Sequence, residues 1–260
     1  MRSVAAACLA LAGAGRAAEQ EAILRWAASV GLAERVMVTD DAEPVLAAGV
    51  RERWGVALLC GTGSLAWGRN LRGEVGRVGG WGYLLGDEGS GYQLACQGLR
   101  AALRAADGRG EATSLMPLLL HELGAASPEQ LVERVYGGPM PRRELAALAK
   151  VVLAAAEHDG PAQRIVEEGA AALAEMVAAL VRRLALVPGD YPLAMAGGLL
   201  IHHGGYRERV LDELARRQVP PGTIALVHQP VRGAVALARE LARGTLRWAS
   251  AAKTPSPDTG

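Results

Sequence analysis

Short apolar runs alternate along the chain with longer segments in which apolar residues recur every three or four positions. Each short run, such as RVMVT at 35–39, has the length and composition of a buried strand. The pattern predicts strands at residues 4–11, 35–39, 56–60, 192–196 and 224–228. It predicts helices at residues 19–30, 42–48, 90–105, 161–187, 206–217 and 231–242, with further helical segments between 108 and 160. Strands that alternate with helices are typical of an α/β protein.

The most unusual segment is 61–91, which holds eleven glycines in 31 positions, whereas glycine averages about 7% of protein residues. Glycine inside a strand or helix costs conformational entropy, so such a density needs a reason. Close approach of the backbone to a ligand is one such reason. The segment therefore predicts a binding site.

This segment opens with the turn Gly61, Thr62, Gly63 and Ser64, directly after the predicted strand 56–60. Residues 65–67 are expected to pair back with that strand. Successive N–H groups of such a turn converge on one anion, and the two hydroxyls add donors. We interpret it as a candidate phosphate loop, although such turns are more often structural. It lacks the Gly-Lys-Ser/Thr and GxGxxG patterns of other nucleotide loops.

Two adjacent carboxylates, Asp40 and Asp41, follow the strand at 35–39 and precede a helix. An aspartate in that place usually caps the helix. A carboxylate at the carboxyl end of a strand also faces the ligand crevice of an α/β protein, where it can accept a proton from a hydroxyl. Strand alternation would turn the two side chains to opposite faces.

The motif GGWGYLLGDEGSGY at 79–92 is the most specific one in the chain. Trp81 between Gly80 and Gly82 offers a flat apolar face beside bare backbone, which suits a sugar ring. Asp87 and Glu88 offer acceptors for vicinal hydroxyls. The alternative interpretation is a glycine-rich surface loop followed by a helix cap.

A further glycine pair, Gly197–Gly198, follows the predicted strand 192–196. Backbone at this point could approach an adenine or ribose closely, and a plain strand-to-helix turn is equally consistent. The five histidines show no chelating spacing. We therefore assign no metal ligand.

Composition narrows the class of protein. Half of the 260 residues are hydrophobic and the net charge is +1, so there is no electrostatic case for binding nucleic acid or an anionic membrane. No run of 18 apolar residues occurs, and we expect no membrane span. The three isolated cysteines, Cys8, Cys60 and Cys96, favour reduced thiols and a cytoplasmic location. Residues 1–15 imitate a secretory signal, but a buried strand explains them equally well.

The order of motifs along the chain resembles that of one family. The motifs are strand-DDA, strand-GTGS, GGWGYLLGDEGSGY, strand-AGG and PVRGAVALA. This family is the N-acetylglucosamine kinase group of the benzoyl-CoA reductase activator/glucosamine kinase ATPase family, which has the sugar kinase–Hsp70–actin fold. The resemblance covers residues 4–242. It implies a two-lobed actin-like (ribonuclease H-like) fold, an amino-sugar substrate phosphorylated at its 6-hydroxyl, and ATP with Mg²⁺ as cofactors.

The same resemblance implies residue roles. Asp41 matches the catalytic base of the family. The positions that match phosphate contacts are Gly61, Thr62, Gly63 and Ser64. Those that match sugar contacts are Gly80, Trp81, Gly82 and Asp87. Gly197 and Gly198 match the adenosine turn, and Gly233 matches the start of a helix on the nucleotide side. The sequence is also compatible with assembly into a homodimer.

The sequence departs from the family at its beginning, because no DGGGTKT-like first phosphate loop occurs. We expect residues 1–52 to form an incomplete N-terminal lobe, 53–243 the C-terminal lobe, and 244–260 a disordered tail. A misassigned start codon or a remnant would explain this, and we expect little or no kinase activity from the chain as it stands. Two alternatives are an ATPase that activates a radical dehydratase or reductase, and a non-catalytic sugar-binding remnant.

Overall fold

The structure is a computed structural model and describes residues 4–138 and 140–246. The tail predicted to be disordered lies outside the described residues, apart from 244–246.

Two sheets are formed by the strands of the described residues. The strands are β1 (Ala7–Ala10), β2 (Val36–Thr39), β3 (Gly55–Cys60), β4 (Ser64–Arg69), β5 (Val75–Gly79), β6 (Pro192–Ala196) and β7 (Thr223–Leu226). β1 and β2 form a parallel pair. The second sheet has the order β5-β4-β3-β6-β7, in which β3, β6 and β7 are parallel and β4 and β5 are antiparallel additions.

Helices connect and cover these strands. They are α1 (Ala17–Ser29), α2 (Glu43–Gly49), α3 (Gly91–Ala106), α4 (Leu115–Leu123), α5 (Pro128–Tyr136), α6 (Arg142–Ala147), α7 (Ala149–Ala155), α8 (Gly160–Arg183), α9 (Gly198–His202), α10 (Gly204–Arg216) and α11 (Val231–Arg243). Among the described helices, none combines the length and apolar character needed to cross a membrane.

The predicted α/β class is confirmed, and the pairing of 65–67 with the preceding strand is confirmed by the β3–β4 hairpin, in which Cys60 opposes Ser64. Strand β5 was not predicted, because its sequence VGRVG has two glycines and no continuous apolar run. The long helix α8 ends at Arg183 rather than at 187. Ala185 has a left-handed φ of 49°, which stops the helix.

The five-stranded sheet is covered on both faces. Val56 and Leu58 of β3 belong to the large core that α8 completes, whereas Ala57 between them belongs to a second core with α2. This alternation is the period of two expected of a strand between two helical layers. The sheet is therefore the rigid support for the loops at its ends.

Packing crosses the predicted boundary between lobes at residues 52 and 53. Val45 and Leu46 of α2 pack on the five-stranded sheet, and Leu237 and Leu241 of α11 pack against Met37 of β2. Each sheet is thus contacted by a helix from the other side of the boundary. The division into two lobes stays a prediction.

A buried ion pair joins these parts. Glu43, in the first turn of α2, receives hydrogen bonds from Arg69 Nη2 of β4 and Thr39 Oγ1 of β2, both at 2.6 Å. Only 6% of the Arg69 side chain and 5% of the Glu43 side chain are exposed. The Arg69 guanidinium also lies 5.0 Å from the Trp67 ring centroid. The pair fixes the segment that follows β2 onto the larger sheet.

Asp159 anchors the start of α8, and we expect Asp159→Ala to lower the free energy of unfolding by about 2–3 kcal/mol. Its carboxylate accepts hydrogen bonds from the Ala162 N–H, the Ser114 N–H and hydroxyl, and the Thr113 hydroxyl. Burial alone would raise the pKa of Asp159, but these hydrogen bonds outweigh it and the pKa is lowered. Urea unfolding measures the effect.

Because the folded-state pKa is lowered, this stabilisation is present at neutral pH and is lost as the pH falls through that pKa. The difference between wild type and Asp159→Ala should therefore shrink only below about pH 4, the ordinary aspartate range. As a control, Ser127→Ala removes an exposed cap that accepts from Gln130 N–H on α5 and should cost less. Equal losses in the two variants would contradict the role of Asp159.

Candidate active site

The candidate site residues follow the carboxyl ends of parallel strands, Asp41 in the two-stranded sheet and the two glycine turns in the five-stranded sheet. Asp41 follows the carboxyl end of β2, beside the loop that follows β1. The Gly61–Ser64 turn and the Gly197–Gly198 turn follow the carboxyl ends of the neighbouring parallel strands β3 and β6. A Cβ built on Gly61 would lie 3.8 Å from the Gly198 nitrogen. The phosphate and adenosine turns predicted from the sequence are therefore adjacent.

The sequence suggested two roles for the aspartate pair, helix capping and proton acceptance. The structure shows which aspartate caps the helix. Asp40 Oδ1 accepts from Ala42 N–H at 3.0 Å and Glu43 N–H at 3.1 Å, and so caps α2. Asp41 is half-buried and takes no part in this cap. Burial raises the pKa of Asp41, and its own backbone N–H and the charge of Arg77 lower it in part. The structure thus gives Asp40 the cap, and the catalytic role of Asp41 stays a prediction.

The Gly61–Ser64 turn is held in place by the GDEGSG segment. Ser64 N–H donates to Asp87 Oδ1 at 3.2 Å, and Ser64 Oγ donates to the Glu88 carbonyl at 2.7 Å. From the first turn of α3, Gly91 N–H donates to the Gly61 carbonyl at 2.8 Å. The two glycine motifs therefore form one hydrogen-bonded unit.

This unit fits a bound phosphate chain. Within the described residues, the N–H groups of Thr62 and Gly63 donate to no protein acceptor. Both residues are half-exposed, at the carboxyl end of β3. Two unpaired N–H groups beside a hydroxyl are the donors that an anion requires.

Asp87 lies at the phosphate turn. It is buried, adopts a left-handed φ of 59°, and places its carboxylate so close to Gly63 that a Cβ there would be 2.8 Å from Oδ1. A buried carboxylate that orders the turn has a structural role in the phosphate loop. Its predicted contact with a sugar stays a prediction.

Residues 80–86 form the predicted sugar-binding loop, called the sugar loop below. This loop presents an open apolar surface. Trp81 is 73% exposed, Leu84 and Leu85 are also exposed, and nothing lies within 4 Å of a Cβ built on Gly82. A Cβ built on Gly86 would lie 3.1 Å from Trp81 Cβ and 3.5 Å from Glu88 Oε2. Trp81 Cβ and a carboxylate oxygen of Glu88 therefore both lie close to Gly86.

Gly197 is required by close packing. Its φ is 95°, and a Cβ on it would lie 2.2 Å from the Cys60 carbonyl oxygen. Gly198 has open space around its Cα. Only the second glycine of the pair leaves room for a ligand beside the backbone.

Gly233 packs against α2 rather than against the glycine turns described above. It is buried in the first turn of α11, and a Cβ on it would lie 1.9 Å from the Pro44 carbonyl oxygen of α2. Its lack of a side chain allows two helices to approach closely. A nucleotide contact by Gly233 stays a prediction.

The three cysteines lie on different elements. Cys60 is buried and its Sγ donates to the Gly89 carbonyl at 3.3 Å, Cys8 lies in β1, and Cys96 lies in α3. Burial raises the pKa of Cys8 to about 12. Thiols so protonated are poor nucleophiles and metal ligands.

The carboxyl ends of parallel strands, where these glycine turns and Asp41 lie, are where α/β proteins commonly bind their ligands. The model of the BadF/BadG/BcrA/BcrD ATPase family matches residues 2–238. The chain belongs to this family.

Two curated relatives are named sugar kinases. An N-acetylmuramic acid/N-acetylglucosamine kinase of Clostridium acetobutylicum is 36% identical over 201 residues, which cover 77% of this chain and 66% of that protein. An N-acetyl-D-glucosamine kinase of Dictyostelium discoideum is 30% identical over 222 residues, which cover 84% of this chain and 68% of that protein. The chain therefore spans about two thirds of the length of these relatives.

Solved structures share the fold. The chain superposes on a crystal structure from Chromobacterium violaceum, described as a putative N-acetylglucosamine kinase, with a TM-score of 0.68 and 24% identity over 91% of this chain and 77% of that one. A Porphyromonas gingivalis protein described in the same way gives a TM-score of 0.67 and 24% identity over 89% and 76%. The α/β fold is that of actin-like ATPase sugar kinases, as the sequence predicted.

Proposed function

We propose that the protein is an ATP-dependent kinase that phosphorylates N-acetylglucosamine or a related amino sugar at its 6-hydroxyl. The observation that carries the proposal is the difference between Asp40, whose carboxylate caps α2, and Asp41, which takes no part in that cap and follows the carboxyl end of β2. The names of the two curated relatives support the substrate class.

In this proposal Asp41 accepts the proton of the sugar hydroxyl as that oxygen attacks the terminal phosphoryl group. The N–H groups of Thr62 and Gly63 hold phosphate oxygens in the required position, and the indole of Trp81 covers the sugar ring. ATP would supply the transferable phosphoryl group, and a Mg²⁺ ion bound with it would neutralise charge on the phosphates. Closure of the site excludes water as a competing acceptor.

The proposal favours a cytoplasmic protein, because ATP and reduced thiols both occur there. Neither the activator ATPase nor the sugar-binding remnant gains support from the relatives named above.

The direct test is formation of ADP and sugar phosphate by the full chain with Mg²⁺ and ATP. N-Acetylglucosamine and N-acetylmuramic acid are compared with glucose and galactose, and phosphorus NMR of the product locates the phosphate. Phosphorylation of an N-acetylated sugar at oxygen 6 supports the proposal. Binding of neither ATP nor an amino sugar in calorimetry would overturn it.

Sugar binding should be visible in the emission of Trp81, because a ring stacked on the exposed indole replaces water. N-Acetylglucosamine should change the fluorescence of the wild-type protein but not that of Trp81→Tyr. Trp26→Tyr is the matched control, since Trp26 on α1 is also exposed, at 54%, and it should respond as the wild type does. An equal response of all three proteins would remove Trp81 from the sugar site.

A further inference from the structure

Arg77 of β5 joins two loops of the candidate active site. Its Nη2 donates to the Gly80 carbonyl of the sugar loop at 2.7 Å. On its other side, Nη1 lies so close to Gly15, in the loop after β1, that a Cβ on that glycine would be 2.3 Å away. The half-buried guanidinium therefore fills the space between the sugar loop and the loop that lies beside Asp41.

Glycines make room for this arrangement at both contacts. A Cβ on Gly80 would lie 2.4 Å from Arg77 Nη2, and Gly80 has a left-handed φ of 68°. Gly15 has no positive φ, so alanine is compatible with its backbone and would collide only with the guanidinium. The two glycines thus depend on the position of the Arg77 side chain.

The positive charge of Arg77 is not neutralised by an ion pair with a described carboxylate. Within the described part of the chain, no ion pair includes Arg77. Its positive charge lowers the pKa of Asp41 against the effect of burial.

The other charges near this edge of the sheet have partners or the opposite sign. Arg16, next to Gly15, pairs with Glu19, and Arg69 pairs with Glu43. Asp40, beside Asp41, is negative when ionised. Among the described residues, Arg77 is therefore a cation whose charge acts on Asp41 and which forms no ion pair.

We propose that Arg77 is a positioning residue of the kinase: its hydrogen bond to Gly80 fixes the sugar loop, and its guanidinium brings a positive charge to the loop after β1, beside which Asp41 lies. The inference rests on the proposed role of Asp41 as the base. A sugar loop that is correctly placed thereby also gives an Asp41 that is ready to accept a proton. Displacement of the guanidinium would disturb both.

The test measures the Asp41 carboxyl directly and needs no catalysis. The full chain is labelled with aspartate carrying carbon-13 in its side-chain carboxyl, and the Asp41 resonance is assigned by its loss in Asp41→Asn. In Arg77→Met the titration midpoint of this resonance should move to higher pH, whereas Arg77→Lys, which keeps the charge, should stay close to the wild type. Gly15→Ala should move the midpoint in the same direction as Arg77→Met.

Arg72→Met is the control, because Arg72 is an exposed arginine of the same hairpin, paired with Glu74, and the midpoint should not move. An unmoved midpoint in Arg77→Met, or an equal movement in Arg72→Met, would overturn the inference. The NMR result is independent of phosphoryl transfer, so failure of the proposed function and failure of this inference are separate outcomes. Where kinase activity is measurable, the acidic limb of kcat/KM should follow the NMR midpoint.

Discussion

Replacing Asp41 by asparagine is expected to lower the rate of sugar phosphorylation by about 10²–10⁴, the usual effect of losing a positioned base. Asparagine keeps the shape of the side chain and one acceptor oxygen, so sugar affinity should change much less. The rate is measured in single turnover with enzyme in excess, so that a slow parent reaction still gives a baseline. Calorimetry with N-acetylglucosamine measures the affinity.

Asp40→Asn is the matched control. Asp40 acts through one oxygen that accepts from the N–H groups of Ala42 and Glu43, and an asparagine oxygen can accept both hydrogen bonds. The rate and the free energy of unfolding should therefore change little. If Asp40→Asn abolishes turnover and Asp41→Asn does not, the two roles have been assigned to the wrong residues.

Replacing Arg69 by methionine is expected to lower the free energy of unfolding by about 3–5 kcal/mol, because Glu43 would be left as a buried charge without its partner. Both side chains are nearly inaccessible to water. Urea unfolding at neutral pH measures the loss. Combining Glu43→Gln with Arg69→Met should recover a large part of it, because glutamine still accepts from the Thr39 hydroxyl and carries no charge.

An exposed pair provides the comparison. Arg25 and Glu21 lie 2.7 Å apart on α1, with 67% and 71% of their side chains exposed. Arg25→Met should change the free energy of unfolding by about 0.5 kcal/mol or less. A loss below about 1 kcal/mol in Arg69→Met would show that the buried pair is not what fixes α2 to the sheet.

Strands β2, β3 and β6 could be predicted because each is a short apolar run that is almost entirely buried. RVMVT became β2, and residues 192–196 became β6 with the predicted bounds. Strand β5 was missed because an edge strand rich in glycine does not need that pattern. The end of α8 depends on the left-handed backbone of Ala185, and its sequence does not show this.

The candidate site was predictable only as a set of loops. The sequence placed Asp41, Gly61 and Gly197 at strand ends, and the parallel pairing of β3 with β6 brings the turns at Gly61 and Gly197 to one edge of the larger sheet. Helix capping, one of the two interpretations that the sequence offered for this aspartate pair, is the role of Asp40.

Contacts between distant residues could not be predicted from the sequence. Gly233 lies against Pro44, and Asp87 lies against Gly63. Arg77 was missed altogether, since a single arginine in VGRVGG has no distinguishing pattern until the fold brings it to Gly15.

The hydrogen bonds between the GTGS turn and the GDEGSG segment limit how the protein could be redesigned for another sugar. Asp87 and Ser64 hold the GTGS turn, so changes there would disturb the candidate phosphate loop as well as the proposed sugar site. Trp81, Leu84 and Leu85 project from the same loop into solvent and carry none of these bonds. Libraries that vary these three side chains can therefore explore new sugars while leaving the phosphate turn intact.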